Sequence, residues 1–211
     1  NQTIWGTPTE LMTTTQYTIW ANNTGGTVSA TLNITVNDQV PGLSITPENT
    51  TATNNTAISP IAITTTGPGE ILTWELEGTL PAGLTFTAAN QTIWGTPTEL
   101  MTTTQYTIWA NNTGGTVSAT LNITVNDQVP GLSITPENTI ATNNTAITAI
   151  VITSNGPGEI DTWELEGTLP SGLTFTAANQ TIWGTPTELM TTTQYTIWAN
   201  NTGGTVSATL N

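Results

Sequence analysis

Lysine, arginine, histidine and cysteine are all absent from the 211 residues, and each absence removes a class of chemistry. Without His or Cys there is no imidazole base, no thiol nucleophile and no soft metal ligand. Without Lys or Arg there is no Schiff-base amine and no cationic clamp for phosphate. The 14 acidic residues leave a formal charge of −14. That charge disfavours nucleic acid, whose affinity comes mainly from cations neutralising phosphates, and an anionic membrane surface for the same reason. Disulfides, Lys–Asn isopeptide staples and salt bridges between side chains are all excluded, so stability must rest on burial and backbone hydrogen bonds. Mutual repulsion among carboxylates is weakest where salt shortens the Debye length, so saline surroundings suit this chain. No apolar run approaches the ~20 residues that span a bilayer, and no signal peptide is visible.

What is present is threonine, roughly a quarter of all residues. Its branched Cβ restricts χ1 and favours strands over helices. The block NQTIWGTPTELMTTTQYTIWANNTGGTVSATLN recurs unchanged from Asn1, Asn90 and Asn179, a period of 89 residues. Residues 34–89 and 123–178 differ at eight positions, among them Ala62/Val151 and Leu72/Asp161. So long a period suits one small domain per repeat rather than a thin solenoid turn. The joint VNDQVPG, at 36–42 and 125–131, breaks the strand pattern with Asn-Asp and Pro-Gly. The expected organisation is the second half of a repeat at 1–38, a complete repeat at 39–127, and a repeat at 128–211 without its last strand. A phase of this kind predicts a longer array.

Strand signals follow one another closely inside the complete repeat. TVSATLNITV at 116–125 alternates, with Val117, Ala119, Leu121, Ile123 and Val125 on one face and hydroxyl or amide side chains on the other. QYTIWANN precedes it across an Asn-Asn-Thr-Gly-Gly turn and should form a hairpin with it, Tyr106, Ile108 and Ala110 facing inward. LTWELEG at 72–78 directs Trp74 and Leu76 inward and Glu75 and Glu77 outward, with Trp74 expected at the core's centre. GLSIT, AISPIAIT, GLTF and TIWG supply further short strands. About seven strands in an ~90-residue unit, with turn signals every 8–12 residues, describe tandem immunoglobulin-like β-sandwiches, an all-β fold.

The run TWELEGTLPAGLTFTAANQTIWGTPTE followed by QYTIWANNTGGTVSATLNITV resembles the putative-Ig and cadherin-like tandem repeats of bacterial and archaeal surface proteins. The resemblance rests on Trp74, Leu80-Pro81, Gly83-Leu84, Ile93, Gly95-Thr96-Pro97, Tyr106, Ile108, Ala110, Asn112 and Gly115. It covers the whole unit and implies architecture and adhesion more than any one activity. Two features depart from the pattern. Asn90-Gln91 stand where the turn glycine is usual, and Trp94 and Trp109 occupy positions that are ordinarily small or polar.

If Ile93 and Ile108 point inward, the adjacent indoles point outward, on strands of opposite sheets. The array then carries Trp5, Trp94 and Trp183 in one row and Trp20, Trp109 and Trp198 in another. Three readings stay open. The rings lie flat as isolated exposed apolar groups, or they are contacts between repeats or chains, or they stack on sugars, which would also need fixed hydrogen-bonding groups nearby.

Other chemistry is sparser. Asp38 and Asp127 sit in a joint like a shortened cadherin linker, and Glu48, Glu70, Glu75, Glu77 and Glu99 could add oxygens. Calcium wants six to eight oxygen ligands, so a solvated acidic joint without a cofactor is the favoured reading. Eleven asparagines fit N-x-[ST]. The sites singled out for glycan are Asn22, Asn33, Asn111, Asn122, Asn143 and Asn200. Glu75 and Glu77 lie two apart on one wet strand face, where nothing raises either pKa, so no acid–base pair and no enzyme is expected.

These features together predict an extracellular, cell-surface structural protein. It would form a stiff stalk or a self-assembling filament or bundle. The competing prediction is an adhesin module that holds carbohydrate or another cell through exposed Trp and Thr surfaces.

Overall fold

The computed structural model describes residues 2–211. Its first body is a hairpin of β1 (Met12–Asn23) and β2 (Gly26–Val36), joined across the Thr24-Gly25 turn. Its apolar face, which includes Tyr17 and Ile19, is open to solvent.

The complete sandwich follows. Strands β3 (Leu43–Thr46), β5 (Ile61–Thr65), β7 (Leu84–Thr87) and β8 (Thr92–Gly95) form one sheet in the order β3-β5-β8-β7. Strands β4 (Asn49–Thr53), β6 (Thr73–Glu77), β9 (Met101–Asn112) and β10 (Gly115–Asn126) form the other in the order β4-β10-β9-β6. Every pairing is antiparallel except that of β4 with β10, which runs parallel from Asn49↔Asn122 to Thr53↔Asn126. The alternation expected for 116–125 is what buries this unit: Leu121, Ile123 and Val125 turn into the core, while Asn122 and Thr124 stay partly exposed.

Eight strands are present where about seven were expected. The additional one is β4, whose sequence NTTAT carries one apolar residue, the buried Ala52. The first-strand region therefore contributes to both sheets: β3 pairs with β5, and beyond Pro47 the chain crosses to lie beside β10. In AISPIAIT the strand begins only at Ile61 and runs on to Thr65, one residue past it.

The centre of the core is isoleucine and tyrosine. Ile61, Ile93, Ile108, Leu121 and Ile123 are fully buried around Tyr106, at a few kcal/mol of burial free energy for each large side chain. Trp74 instead packs against this cluster from its margin, edge-on to Phe86 with ring centroids 6.2 Å apart. A ring of that width on the short strand β6 reaches the sheet's border, so it is half-buried rather than central.

Burial and the neighbouring Glu99 carboxylate, in that order, hold the Tyr106 phenol above its ordinary pKa of 10.0. A raised acid pKa in the folded state means that the native chain keeps the proton the unfolded chain has released. The stabilisation is present below pH 10 and is lost as pH rises through the native value. Urea midpoints should therefore fall above pH 10, and Tyr106→Phe should flatten the part of that fall due to this unit. An unchanged alkaline profile in Tyr106→Phe would show that burial of the phenol is not its cause.

The last sandwich repeats the plan. Strands β11 (Leu132–Thr135), β12 (Ile150–Ser154), β14 (Leu173–Thr176) and β15 (Thr181–Gly184) make one sheet, and β13 (Thr162–Glu166), β16 (Tyr195–Asn201) and β17 (Gly204–Leu210) the other. Residues 138–142 and 190–194, the counterparts of β4 and of the start of β9, are not strand here. In the complete unit both pair with Asn122–Asn126. Here the corresponding strand contributes Asn211, whose backbone bonds Glu137 and Thr139. A groove of about 220 Å³, with Ile147, Ile182, Tyr195 and Leu210 among its walls, occupies that place.

Candidate interaction surfaces

The two rows of tryptophan lie in chemically different settings. Along β8, Ile93 is fully buried and the next residue, Trp94, is 49% exposed. Its Nε1–H donates to Thr87 Oγ1 at 2.9 Å, which fixes the ring over β7. Trp183 repeats this, 51% exposed with Nε1–H on Thr176 Oγ1 at 3.0 Å. The remaining outward positions of this sheet, read from its register, are Ser44, Thr46, Ala62, Thr64, Thr85, Thr87 and Thr92. None of them is ionisable.

Trp109 lies on β9 in the other sheet, with Glu75 of β6 on one side and Ser118 of β10 on the other. Its Nε1–H donates to Glu77 Oε2 at 3.3 Å, and the same contact joins Trp198 to Glu166 at 3.3 Å. This ring is half-buried among polar side chains and carboxylates. Trp20 on β1 of the hairpin and Trp5 ahead of it are exposed.

The two joint aspartates are occupied. Asp38 Oδ1 accepts the Gln39 amide at 2.7 Å and Oδ2 the Glu70 amide at 3.1 Å. Asp127 does the same with Gln128 at 2.7 Å and Glu159 at 3.1 Å. Among the described residues no group of three or more carboxylates converges as a metal site. The acidic joint is thus held by backbone N–H groups of the unit that follows.

Asn112 and Asn201, which the sequence reading left in a turn, hold these joints in place. Asn112 Oδ1 accepts the amides of Gly114 and Gly115 at 2.8 and 3.1 Å, while Nδ2 donates to the Gln39 and Glu70 carbonyls at 2.7 and 2.9 Å. Gly114 has to be glycine, because a Cβ there would collide with the Asp38 carbonyl. Asn201 repeats the contacts on Gln128 and Glu159. From the other side, Gln128 Nε2–H donates back to the Asn54 carbonyl of the preceding unit at 2.9 Å. The sequence signals at this position are the doubled Asn before Thr-Gly-Gly and the match of Asn112 to the repeat-family pattern.

The N-x-[ST] asparagines also divide. Asn22, Asn33 and Asn143 are exposed. Asn111 and Asn200 donate weakly to Thr73 and Thr162 at 3.4 Å. The Asn122 amide donates to Asn49 Oδ1 at 2.9 Å, so the nitrogen that a glycan would use on Asn122 is engaged.

Comparison with known proteins agrees with this geometry. The profile described as "Putative Ig domain" matches residues 41–126 and again 130–211. Two relatives are the "Serine-rich adhesin for platelets" of Staphylococcus aureus strains MRSA252 and USA300. Each is 30% identical over 151 residues, which is 71% of this chain but only 11% and 7% of the respective adhesin. Among solved structures, extracellular domains 3-5 of Drosophila OTK superpose with a TM-score of 0.51 at 17% identity, covering 93% of this chain and 70% of that one. That likeness concerns the fold.

Proposed function

Because the chain belongs to the Putative Ig domain family, we propose that it is a non-enzymatic cell-surface repeat protein whose array of sandwiches forms a stiff stalk or assembles into an extracellular filament. The observation that carries this reading is the joint. Asp127 and Gln128 are hydrogen-bonded into the following unit, and Gln128 also reaches back to Asn54. A linker tied at both sides has little freedom to bend, and Pro130 stiffens it further. Electron microscopy of the assembled material tests it: straight rods or fibres with a regular axial repeat are expected, and dispersed flexible monomers would refute it.

Self-association is the second part of the proposal. Fourteen carboxylates with no cation oppose it, so protonating them near pH ~4 should remove the repulsion and promote bundling. Turbidity should rise steeply through that range and fall on return to neutral pH. A flat trace would contradict the proposal. Glycan on Asn111 or Asn200, whose amide nitrogens make only long bonds to Thr73 and Thr162, would add hydration that scarce charge leaves wanting.

The relatives favour a second reading, an adhesin module that binds carbohydrate or another cell. Glycan-array signal that vanishes in Trp94→Ala or Trp109→Ala, with assembly unchanged, would decide for it.

A further inference from the structure

The outward positions of the β3-β5-β8-β7 sheet are Ser, Thr, Ala and Trp, with no carboxylate among them. The last sandwich keeps this with Ser133, Val151, Thr153, Thr174, Thr181 and Trp183. The opposite sheet carries Glu75 and Glu77, or Glu164 and Glu166, on its outward face. Two of the eight differences between the repeats follow the same division, although Thr51/Ile140 puts an exposed isoleucine at the β4 position of the other sheet. Leu72/Asp161 adds a charge beside β6, whereas Ala62/Val151 enlarges an apolar group on the uncharged face and leaves Val151 46% exposed.

We infer that the uncharged face bearing Trp94 and Trp183 is the surface through which this chain packs side by side with a second copy of itself. The inference rests on the self-association proposed above and adds which face mediates it. A chain without cations has no face complementary to its own carboxylates, so two copies approach at least cost where neither presents one. The two faces also differ in how their indoles are held. Trp94 stands half out of its sheet with its N–H already satisfied by Thr87, so the ring can be covered without stranding a donor. Trp109 is tied to Glu77, and covering it would desolvate a carboxylate that has no counter-ion.

The size of the face sets how the contact works. Four strands about 4.8 Å apart and four residues long offer roughly 250 Å², against about 800 Å² per partner in a stable interface. One unit therefore associates weakly, and several engaging together associate strongly through effective concentration.

The test uses the 211-residue chain in about 1 M salt, where the Debye length is about 3 Å, with association read by sedimentation velocity. Thr85→Glu with Thr174→Glu puts one carboxylate beside each exposed indole. It should weaken association at least about tenfold, since like charges facing across a contact are strongly unfavourable. Thr107→Glu with Thr196→Glu, on the opposite sheet, should leave association unchanged. Trp94→Ala with Trp183→Ala, which removes rings that stand about half out of the sheet and outside the core, should reproduce the loss. Thermal melts of each variant confirm folding. Association that persists in both uncharged-face variants, or is lost only in the opposite-face variant, overturns the assignment of the face alone. A parent chain that stays monomeric at this salt overturns the self-association reading as well.

Discussion

Adding Ile-Thr-Val-Asn after Asn211 is expected to raise the unfolding temperature of the last sandwich by at least about 10 °C. The same four residues at 123–126 show why: Ile123 and Val125 are buried between the sheets, and the strand they lie in bonds β4 on one side and β9 on the other. Two such side chains contribute roughly 3–6 kcal/mol on burial. Ordering four residues offsets a comparable amount. The surplus comes from two new rows of backbone bonds, at roughly 0.5–1.5 kcal/mol each. A net gain of about 3 kcal/mol corresponds to a shift of 12 °C or more in a domain of this size. Calorimetry of the extended chain should show the later-repeat transition moving up to meet that of the complete unit. Ser-Thr-Ser-Asn, which offers the same backbone without the apolar contacts, should give less than half the shift. Equal shifts from the two extensions would show that the groove is not selecting apolar side chains.

Replacing Asn112 by alanine should cost the complete unit about 2–4 kcal/mol, while Asn111→Ala, one position earlier, should stay within about 0.5 kcal/mol. The neighbours differ in what their amides touch. Asn112 accepts from two glycine amides and donates to the Gln39 and Glu70 carbonyls, whereas Asn111 has one long bond to Thr73. Asn112→Asp keeps the acceptor and removes both donors, facing a negative charge toward two carbonyls. It should be at least as damaging. Urea denaturation measures the three variants. Small-angle scattering of Asn112→Ala should also show a wider spread of inter-unit angles, since the joint loses its tether. Matching losses in Asn111→Ala and Asn112→Ala would mean that the turn, rather than the joint, needs asparagine.

The residues that could be read in advance are those where side-chain periodicity and burial coincide. Ile93 beside Trp94 and Ile108 beside Trp109 follow strand parity because each sheet has one dry face. β4 was illegible for the converse reason: its place is set by backbone bonds to β10, and NTTAT offers parity only Ala52 to work with. The difference between the two tryptophan rows was equally hidden, since it depends on which strands flank each ring across the sheet, a long-range matter. Asn112 was legible as a residue of the family pattern, but its role at the joint was not, because its partners lie 42 and 73 residues away. Gln91 was half legible. The family places glycine in that turn, and Gln91 adopts the left-handed conformation that glycine would, at φ 54°.

The parallel register of β4 with β10 has a mechanical consequence. The chain enters a unit next to β4 and leaves it from the far end of β10, so tension along the array pulls these two strands lengthwise past each other. Their cross-links from Asn49↔Asn122 to Thr53↔Asn126 must then yield together rather than one after another. A complete unit is thus expected to act as a shear clamp, and a tether built from many such units would stay taut under load instead of paying out.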